Sequence, residues 1–175
     1  MSMQPTQSTS RILQPVRDWF IVLTLFMALF LDLLPLGHLN GVPDWVTLVL
    51  TFWCLHQPLK VSMGTAFFLG LLMDVADSSV MGQHALAYTL LAFTTCGLSR
   101  RVLWFPLLQQ ALHILPLLLG TQFAMLIFRL ASGGELPSLL WFLDSVVGAV
   151  LWYPMTYLLL LPQYRPVDRD ETRPI

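Results

Sequence analysis

Three aspartates and one histidine lie within strongly apolar stretches of the chain: Asp32, Asp74, Asp144 and His113. A carboxylate in such a stretch is costly unless it faces other protein groups or water. A histidine there can relay protons, bind a ligand, or make hydrogen bonds between helices. Because no other histidine stands at ligand spacing from His113, the hydrogen-bonding role is favoured. Asp32, His113 and Asp144 are therefore candidates for a polar interior.

A stripe of small residues runs along one predicted helix and ends in a carboxylate. Ser62, Ala66 and Gly70 stand four residues apart, and Asp74 follows at the next step. Residues at this spacing share one helix face, and small side chains let two helix backbones approach closely in a membrane. The stripe predicts helix packing within the protein or docking of a partner helix. The candidate packing or docking residues are Ser62, Gly64, Ala66, Gly70, Asp74 and Gly82.

The composition is typical of a membrane protein. Hydrophobic residues make up 56 % of the 175 positions and charged residues 11 %, whereas soluble domains carry about a quarter charged residues. A net charge of −1 argues against nucleic-acid binding, which requires a basic stripe. The sequence therefore predicts an all-α, polytopic membrane protein in contact with the lipid bilayer.

Breaks rich in glycine and proline divide the apolar sequence into segments, each a candidate transmembrane helix. We expect about six such helices, at residues 19–36, 44–56, 61–76, 83–98, 102–130 and 138–161. Three regions follow from this division: an N-terminal segment at 1–18, a transmembrane domain at 19–161 and a C-terminal tail at 162–175.

The positive charges give the predicted helices a direction. With the N-terminus in the cytoplasm, eight of the nine basic residues fall in cytoplasmic segments and only Arg129 falls outside. The positive-inside rule predicts such a split. We therefore expect both termini in the cytoplasm. The eight residues are Arg11, Arg17, Lys60, Arg100, Arg101, Arg165, Arg169 and Arg173.

This orientation places the three carboxylates toward the outer side of the membrane. Asp74 lies roughly 20 Å along the helix axis from Val61, and Asp32 and Asp144 also fall near the outer ends of their helices. Such a placement suits a shallow cavity that opens to the periplasmic side. Ordinary bundle packing remains the alternative.

Catalytic motifs are absent from the sequence. It contains no Ser–His–Asp pattern, phosphate-binding loop, Cys-x-x-Cys or His-Glu-x-x-His. Cys54 and Cys96 both lie in apolar runs, which favours buried thiols over a disulfide or a metal site. We predict no enzymatic activity, no metal and no cofactor.

Two runs carry a resemblance to a known family. The run from Gly70 to Asp74 and the later run from Met81 to His84 resemble the signature of the MreD family of rod-shape-determining membrane proteins. The length and the number of helices also agree, and the resemblance covers almost the whole chain. Further pieces follow in order: Pro43-Asp-Trp45, Gln109-Gln110-Ala111 and Leu151-Trp152-Tyr-Pro154.

The resemblance implies a non-enzymatic scaffold of the bacterial cell-elongation machinery in the inner membrane. Such proteins associate with the bitopic protein MreC and, through it, with the MreB filament and the RodA–transpeptidase synthase that makes lateral peptidoglycan. The implied fold is similar to the substrate-binding component of energy-coupling-factor transporters. Gly70, Asp74 and Gly82 match the family motif, whereas His84 and Asp144 lie where the family varies.

The sequence is also compatible with two other functions. A transport component that binds a small molecule or a lipid precursor would use the outer carboxylates. An intramembrane enzyme would require a partner for His113, and the sequence supplies none. For Asp74 we expect that its carboxylate caps the outer end of its helix or binds the following loop through Gly82.

Overall fold

The computed structural model describes residues 16–34, 42–77 and 80–163. Within these ranges the chain is helical and contains no strand. Its α-helices are α1 Asp18–Leu33, α2 Trp45–His56, α3 Met63–Ala76, α4 Gln83–Val102, α5 Leu107–Ala131 and α6 Leu143–Leu160. Short 3-10 helices at Leu139–Phe142 and Leu161–Gln163 flank α6.

Successive helices alternate in direction, so the bundle has two ends. At the cavity end, α1, α3 and α5 finish, α2, α4 and α6 begin, and residues from all six helices line a common cavity. At the opposite end, Lys60 in the α2–α3 connection reaches the start of α1. Its Nζ donates to the carbonyl oxygen of Val16 at 2.8 Å and to Asp18 at 2.6 Å.

Helix α2 forms the centre of the bundle. Every residue from Val46 to Leu55 is buried, and α2 packs against α1, α4 and α6. Trp53 of α2 donates from its indole nitrogen to the hydroxyl of Thr24 in α1 at 2.8 Å. The helices therefore enclose a buried core centred on α2.

The outer surface is apolar. Large hydrophobic side chains stand exposed along α1, α3 and α5, including Phe26, Phe68 and Ile127. Exposed apolar area of this extent marks a surface that contacts lipid or another protein. The fold thus agrees with the membrane character that the composition predicts.

The helices differ in their ability to cross a bilayer alone. Two stretches of the described residues, Leu107–Ala131 and Leu139–Gln163, are long and apolar enough to span a membrane. Helices α2 and α3 are apolar but have only 12 and 14 residues, which correspond to about 18 and 21 Å of a hydrocarbon core about 30 Å thick. The described residues therefore contain six α-helices, but these helices differ in how much of a membrane each could cross.

Four predicted boundaries differ from the structure. Helix α1 ends at Leu33 rather than 36, and α6 begins at Leu143 rather than 138, after the 3-10 helix Leu139–Phe142. The other two lie at the α4–α5 connection. Helix α4 continues beyond residue 98 to Val102, where Arg100 and Arg101 lie favourably at the negative end of the helix dipole. Helix α5 begins at Leu107 rather than 102, with Pro106 as its N-cap. Proline is accepted at a helix start but disfavours helical backbone in the residue before it.

The predicted stripe on α3 is only partly a packing face within the chain. Ala66 and Gly70 are buried, whereas Ser62 and Gly64 are exposed. A Cβ atom at Gly70 would lie 2.4 Å from the Cα atom of Ala85 in α4, so the two backbones nearly touch there. At Gly64 a Cβ atom would meet nothing within 4 Å.

We predict that Gly70→Ala destabilises the protein and that Gly64→Ala does not. The new methyl group at residue 70 would meet backbone atoms of α4, which cannot rotate away. Overpacking of this kind costs about 1–3 kcal/mol. Thermal unfolding of the purified protein in detergent measures the difference. Equal midpoints for the two variants would contradict the close approach of α3 and α4.

Candidate functional site

Asp74 is an enclosed carboxylate at the cavity end of α3. Its Oδ2 accepts hydrogen bonds from the backbone N–H groups of Gly82 at 2.8 Å and Ala85 at 3.3 Å. Its Oδ1 accepts from the backbone N–H of His84 at 2.8 Å. The contact that we expected between Asp74 and the loop at Gly82 is present. Asp74 therefore joins the end of α3 to the start of α4.

Gly82 explains why this carboxylate is needed. It is the N-cap of α4 and has a φ of 101°, a left-handed conformation that is unfavourable for residues with a Cβ atom. A glycine N-cap has no side-chain oxygen to accept from the first N–H groups of the helix. Asp74 provides that oxygen from the preceding helix, and its negative charge suits the positive end of the α4 dipole.

His84 completes the contact from the side. Its Nδ1 lies 2.9 Å from Oδ1 of Asp74, and because a carboxylate oxygen accepts, Nδ1 carries the hydrogen. Its Nε2 lies 3.7 Å from Asp77. The sequence did not indicate this role for His84. Its position two residues after Gly82, in the first turn of α4, was the available signal.

The start of α2 is held in the same way. Asp32, in the last turn of α1, accepts from the backbone N–H groups of Trp45 at 3.0 Å and Val46 at 2.8 Å. The side chain of Asp44 caps α2 locally by accepting from the N–H of Thr47 at 2.7 Å. Two aspartates thus share the N–H groups at the start of α2.

A tyrosine ties the starts of α2 and α4 together. The buried Tyr88 of α4 donates its hydroxyl hydrogen to Asp44 at 2.7 Å. Asp44 also accepts from the Thr47 hydroxyl. Neither Asp44 nor Tyr88 was among the predicted site residues, because only the lateral arrangement of helices brings them together.

Helices α5 and α6 are joined by a side-chain amide, where the α1–α2 and α3–α4 pairs use a carboxylate. Gln122 of α5 donates from Nε2 to the carbonyl oxygen of Trp141 at 3.0 Å. Its Oε1 accepts from the hydroxyl of Ser145 at 2.6 Å. Trp141 and Ser145 flank the start of α6. We call Asp32, Asp74 and Gln122 the latch residues, since each joins an odd-numbered helix to the start of the next helix.

Two of the latch residues, Asp32 and Gln122, line a cavity of about 820 Å³ at the cavity end. Its walls carry the carboxylates of Asp32, Asp44, Asp77 and Asp144, together with the guanidinium of Arg129. Asp32 and Asp144 thus share one cavity, as their predicted depth suggested. Asp74 does not line it, because its side chain is fully buried behind the wall.

Three other sequence candidates lie away from this cavity. His113 is exposed on α5, where its Nδ1 lies 2.8 Å from the carbonyl oxygen of Gln109 and its ring stacks on Phe105. It therefore does not contribute to a polar interior, since its helix turns that face outward. Ser62 and Gly64 are exposed at the start of α3, at the opposite end.

No group of three or more histidine, cysteine or carboxylate side chains is arranged to hold a metal within the described ranges. Cys54 is buried and Cys96 is partly buried, and both are free thiols.

The described residues form six helices, two of them long and apolar, with an apolar outer surface and helix-joining hydrogen bonds at one end. This arrangement is typical of a small helical membrane protein. A family model described as rod shape-determining protein MreD matches residues 11–161. The chain belongs to this family.

The chain is also similar to a relative of the same family. The rod shape-determining protein MreD of Haemophilus influenzae is 36 % identical over 106 residues, which are 57 % of this chain and 65 % of the relative. The match thus spans slightly less than two thirds of the relative's length. No solved structure matches the chain.

We predict that Asp74→Ala lowers stability by at least about 1–3 kcal/mol, the cost of leaving one buried hydrogen-bond donor unsatisfied. The variant would leave the N–H groups of Gly82, His84 and Ala85 without their acceptor. Asp74→Asn should have a smaller effect, because an amide keeps one acceptor oxygen. Chemical unfolding in detergent measures both.

The control for this prediction is Asp18→Ala. The Asp18 side chain is 82 % exposed and pairs with Lys60 at the opposite end, so its loss should change stability little. If Asp74→Ala unfolded at the same denaturant concentration as Asp18→Ala, the latch at α4 would carry no stability.

Proposed function

We propose that the protein is a non-enzymatic scaffold of the bacterial inner membrane that supports rod shape and lateral peptidoglycan synthesis. Membership in the MreD family supports this role. The enclosed carboxylates support it as well, because Asp32 and Asp74 accept backbone hydrogen bonds that hold helices together. The observation that carries the proposal is this use of polar groups for helix assembly.

The proposed topology is a six-helix, multi-pass arrangement with both termini in the cytoplasm. Four of the five basic residues in the described ranges lie at the opposite end, and Arg129 alone lies at the cavity end. The positive-inside rule then assigns the opposite end to the cytoplasm. Residues 1–18 and 162–175 are cytoplasmic in this proposal, and residues 19–161 form the membrane domain. The four residues are Arg17, Lys60, Arg100 and Arg101.

The proposed direct partner is an MreC-like bitopic membrane protein, which would link the scaffold to the MreB filament and the RodA–transpeptidase synthase. The proposed docking surface is the outer face of α3, formed by Gly64, Phe68 and Leu72. All three are exposed and stand four residues apart, on one helix face. Helix α3 packs chiefly against α4 and touches α1, so its opposite face is open to a partner.

The stripe residues divide between two uses in this proposal. Ala66 and Gly70 face α4 within the protein, whereas Gly64 gives the outward face a small residue where a partner helix can approach. Variants at Gly70 or Asp74 would therefore disturb the fold itself. They are unsuitable for testing partner binding.

We predict that Gly64→Leu reduces co-purification with MreC and produces rounded cells, because the larger side chain would hold the partner helix away. Gly97→Leu is the matched control, since Gly97 of α4 is also exposed and a Cβ atom there meets nothing within 4 Å. Both variants should retain wild-type thermal stability. Normal MreC binding and normal rods from Gly64→Leu would refute the proposed docking surface.

A second candidate function is binding of a small molecule or lipid precursor by a transport-like component. The cavity of about 820 Å³ favours it, because ligand pockets usually measure about 300–1,000 Å³. A six-helix bundle with a cavity at its outer end also suits the proposed similarity to energy-coupling-factor substrate-binding components. The predominantly acidic wall favours a ligand with an amino group over an anionic lipid-linked precursor.

A thermal-shift screen tests this candidate with vitamins, polyamines and lipid-linked precursors as probes. A ligand at 100 times its Kd should stabilise the protein by about 2.7 kcal/mol. The stabilisation should fall in Asp144→Asn, which alters the cavity wall, and persist in Asp18→Asn at the opposite end. If no probe stabilised the wild type, the scaffold role would stand without a ligand.

A further inference from the structure

A second concave surface lies at the opposite end, where α4 passes into α5. This groove encloses about 590 Å³. Arg100 and Arg101 line it from the last turn of α4, Trp104 and Phe105 from the connection, and His113 from α5. It therefore combines two guanidinium groups with aromatic rings on a surface that is otherwise apolar.

The charged side chains that the described residues contribute to the groove are basic. Among those residues, no aspartate or glutamate lines it. Among the described residues, neither Arg100 nor Arg101 forms an ion pair with a carboxylate. The pair between Lys60 and Asp18 is the only lysine–carboxylate pair among these residues. The groove lies between the end of α4 and the start of α5, so the two helix dipoles oppose each other there and the two guanidinium groups supply its charge. An anion is the complementary ligand for this arrangement.

One wall of the groove is fixed before any ligand arrives. The rings of His113 and Phe105 stack with centroids 4.7 Å apart and planes 15° apart. The carbonyl oxygen of Gln109 accepts from Nδ1 of His113 at 2.8 Å, because a carbonyl oxygen cannot donate. A fixed wall reduces the conformational entropy that binding would otherwise cost.

The surroundings of the groove point to a ligand with an apolar tail. Trp104 is 88 % exposed beside the arginines, as expected for an aromatic anchor at the membrane interface. Leu108 and Leu112 continue along α5 at a spacing of four residues and are 78 % and 70 % exposed. An acyl chain packed on these leucines would connect directly to a headgroup at Arg100 and Arg101.

We propose that this groove binds an anionic phospholipid of the cytoplasmic leaflet, with the headgroup phosphate between the Arg100 and Arg101 guanidinium groups and an acyl chain along Leu108 and Leu112. Guanidinium groups form paired hydrogen bonds to phosphate oxygens, and basic pockets on the cytoplasmic side of membrane proteins suit anionic headgroups. The choice of leaflet depends on the proposed topology, but the binding itself does not.

Native mass spectrometry of the full-length protein in neutral detergent tests this proposal. The probes are phosphatidylglycerol, phosphatidylcholine with the same acyl chains, and inorganic phosphate. Wild type should prefer phosphatidylglycerol. Each basic residue near an anionic headgroup contributes roughly a fivefold preference, so Arg100→Gln/Arg101→Gln should lower it by roughly 30-fold. Arg100→Lys/Arg101→Lys keeps both charges and should retain most of it.

Arg129→Gln is the matched control, because Arg129 is an exposed arginine at the other end of α5. It should keep the wild-type preference for phosphatidylglycerol. Three results would overturn the proposal: no preference over phosphatidylcholine, an equal loss in Arg129→Gln, or equally tight binding of inorganic phosphate. Because the assay does not involve MreC or cell shape, its failure would leave the scaffold proposal unaffected.

Discussion

The hydrogen bonds from the start of α4 to the Asp74 carboxylate are the interaction on which the arrangement of the bundle depends. A helix that begins inside an apolar medium has N–H groups that water cannot satisfy. Asp74 accepts from three of them, at Gly82, His84 and Ala85. The short approach of Gly70 to Ala85 brings α3 close enough for this reach. We therefore expect close packing at Gly70 and the hydrogen bonds of Asp74 to depend on each other.

The same constraint is met at the starts of α2 and α6. Asp32 accepts from the first turn of α2, and Gln122 contacts both Trp141 and Ser145 around the start of α6. Since all three even-numbered helices begin at the cavity end, the polar groups that join the helices gather there. A cavity lined with polar side chains is thus a consequence of how the helices are joined. Its existence alone is a weak argument for ligand binding.

Sequence spacing predicted the local features well and the lateral ones poorly. The four-residue stripe placed Ala66, Gly70 and Asp74 on one face, and the contact of Asp74 with Gly82 followed from its position at the helix end. The partners of Asp32 could not be predicted, because they depend on which helices lie side by side. The outward direction of His113 was equally inaccessible. Helix α5 is apolar around most of its circumference, so periodicity does not distinguish the inward face from the outward one.

Because the described residues form only helices and short connections, the proposed scaffold would meet its partners through helix faces. Helix α3 can bind a partner because its two faces differ. Ala66 and Gly70 pack on α4, while Gly64 and Phe68 face outward. Helix α3 has only 14 residues, so few contacts with neighbouring helices hold it in place when a partner binds. The Asp74 latch fixes α3 to the start of α4 and, through Tyr88 and Asp44, to α2. We therefore infer that the latch gives the proposed docking face its rigidity, since a partner bound to α3 is joined to the central helix by hydrogen bonds.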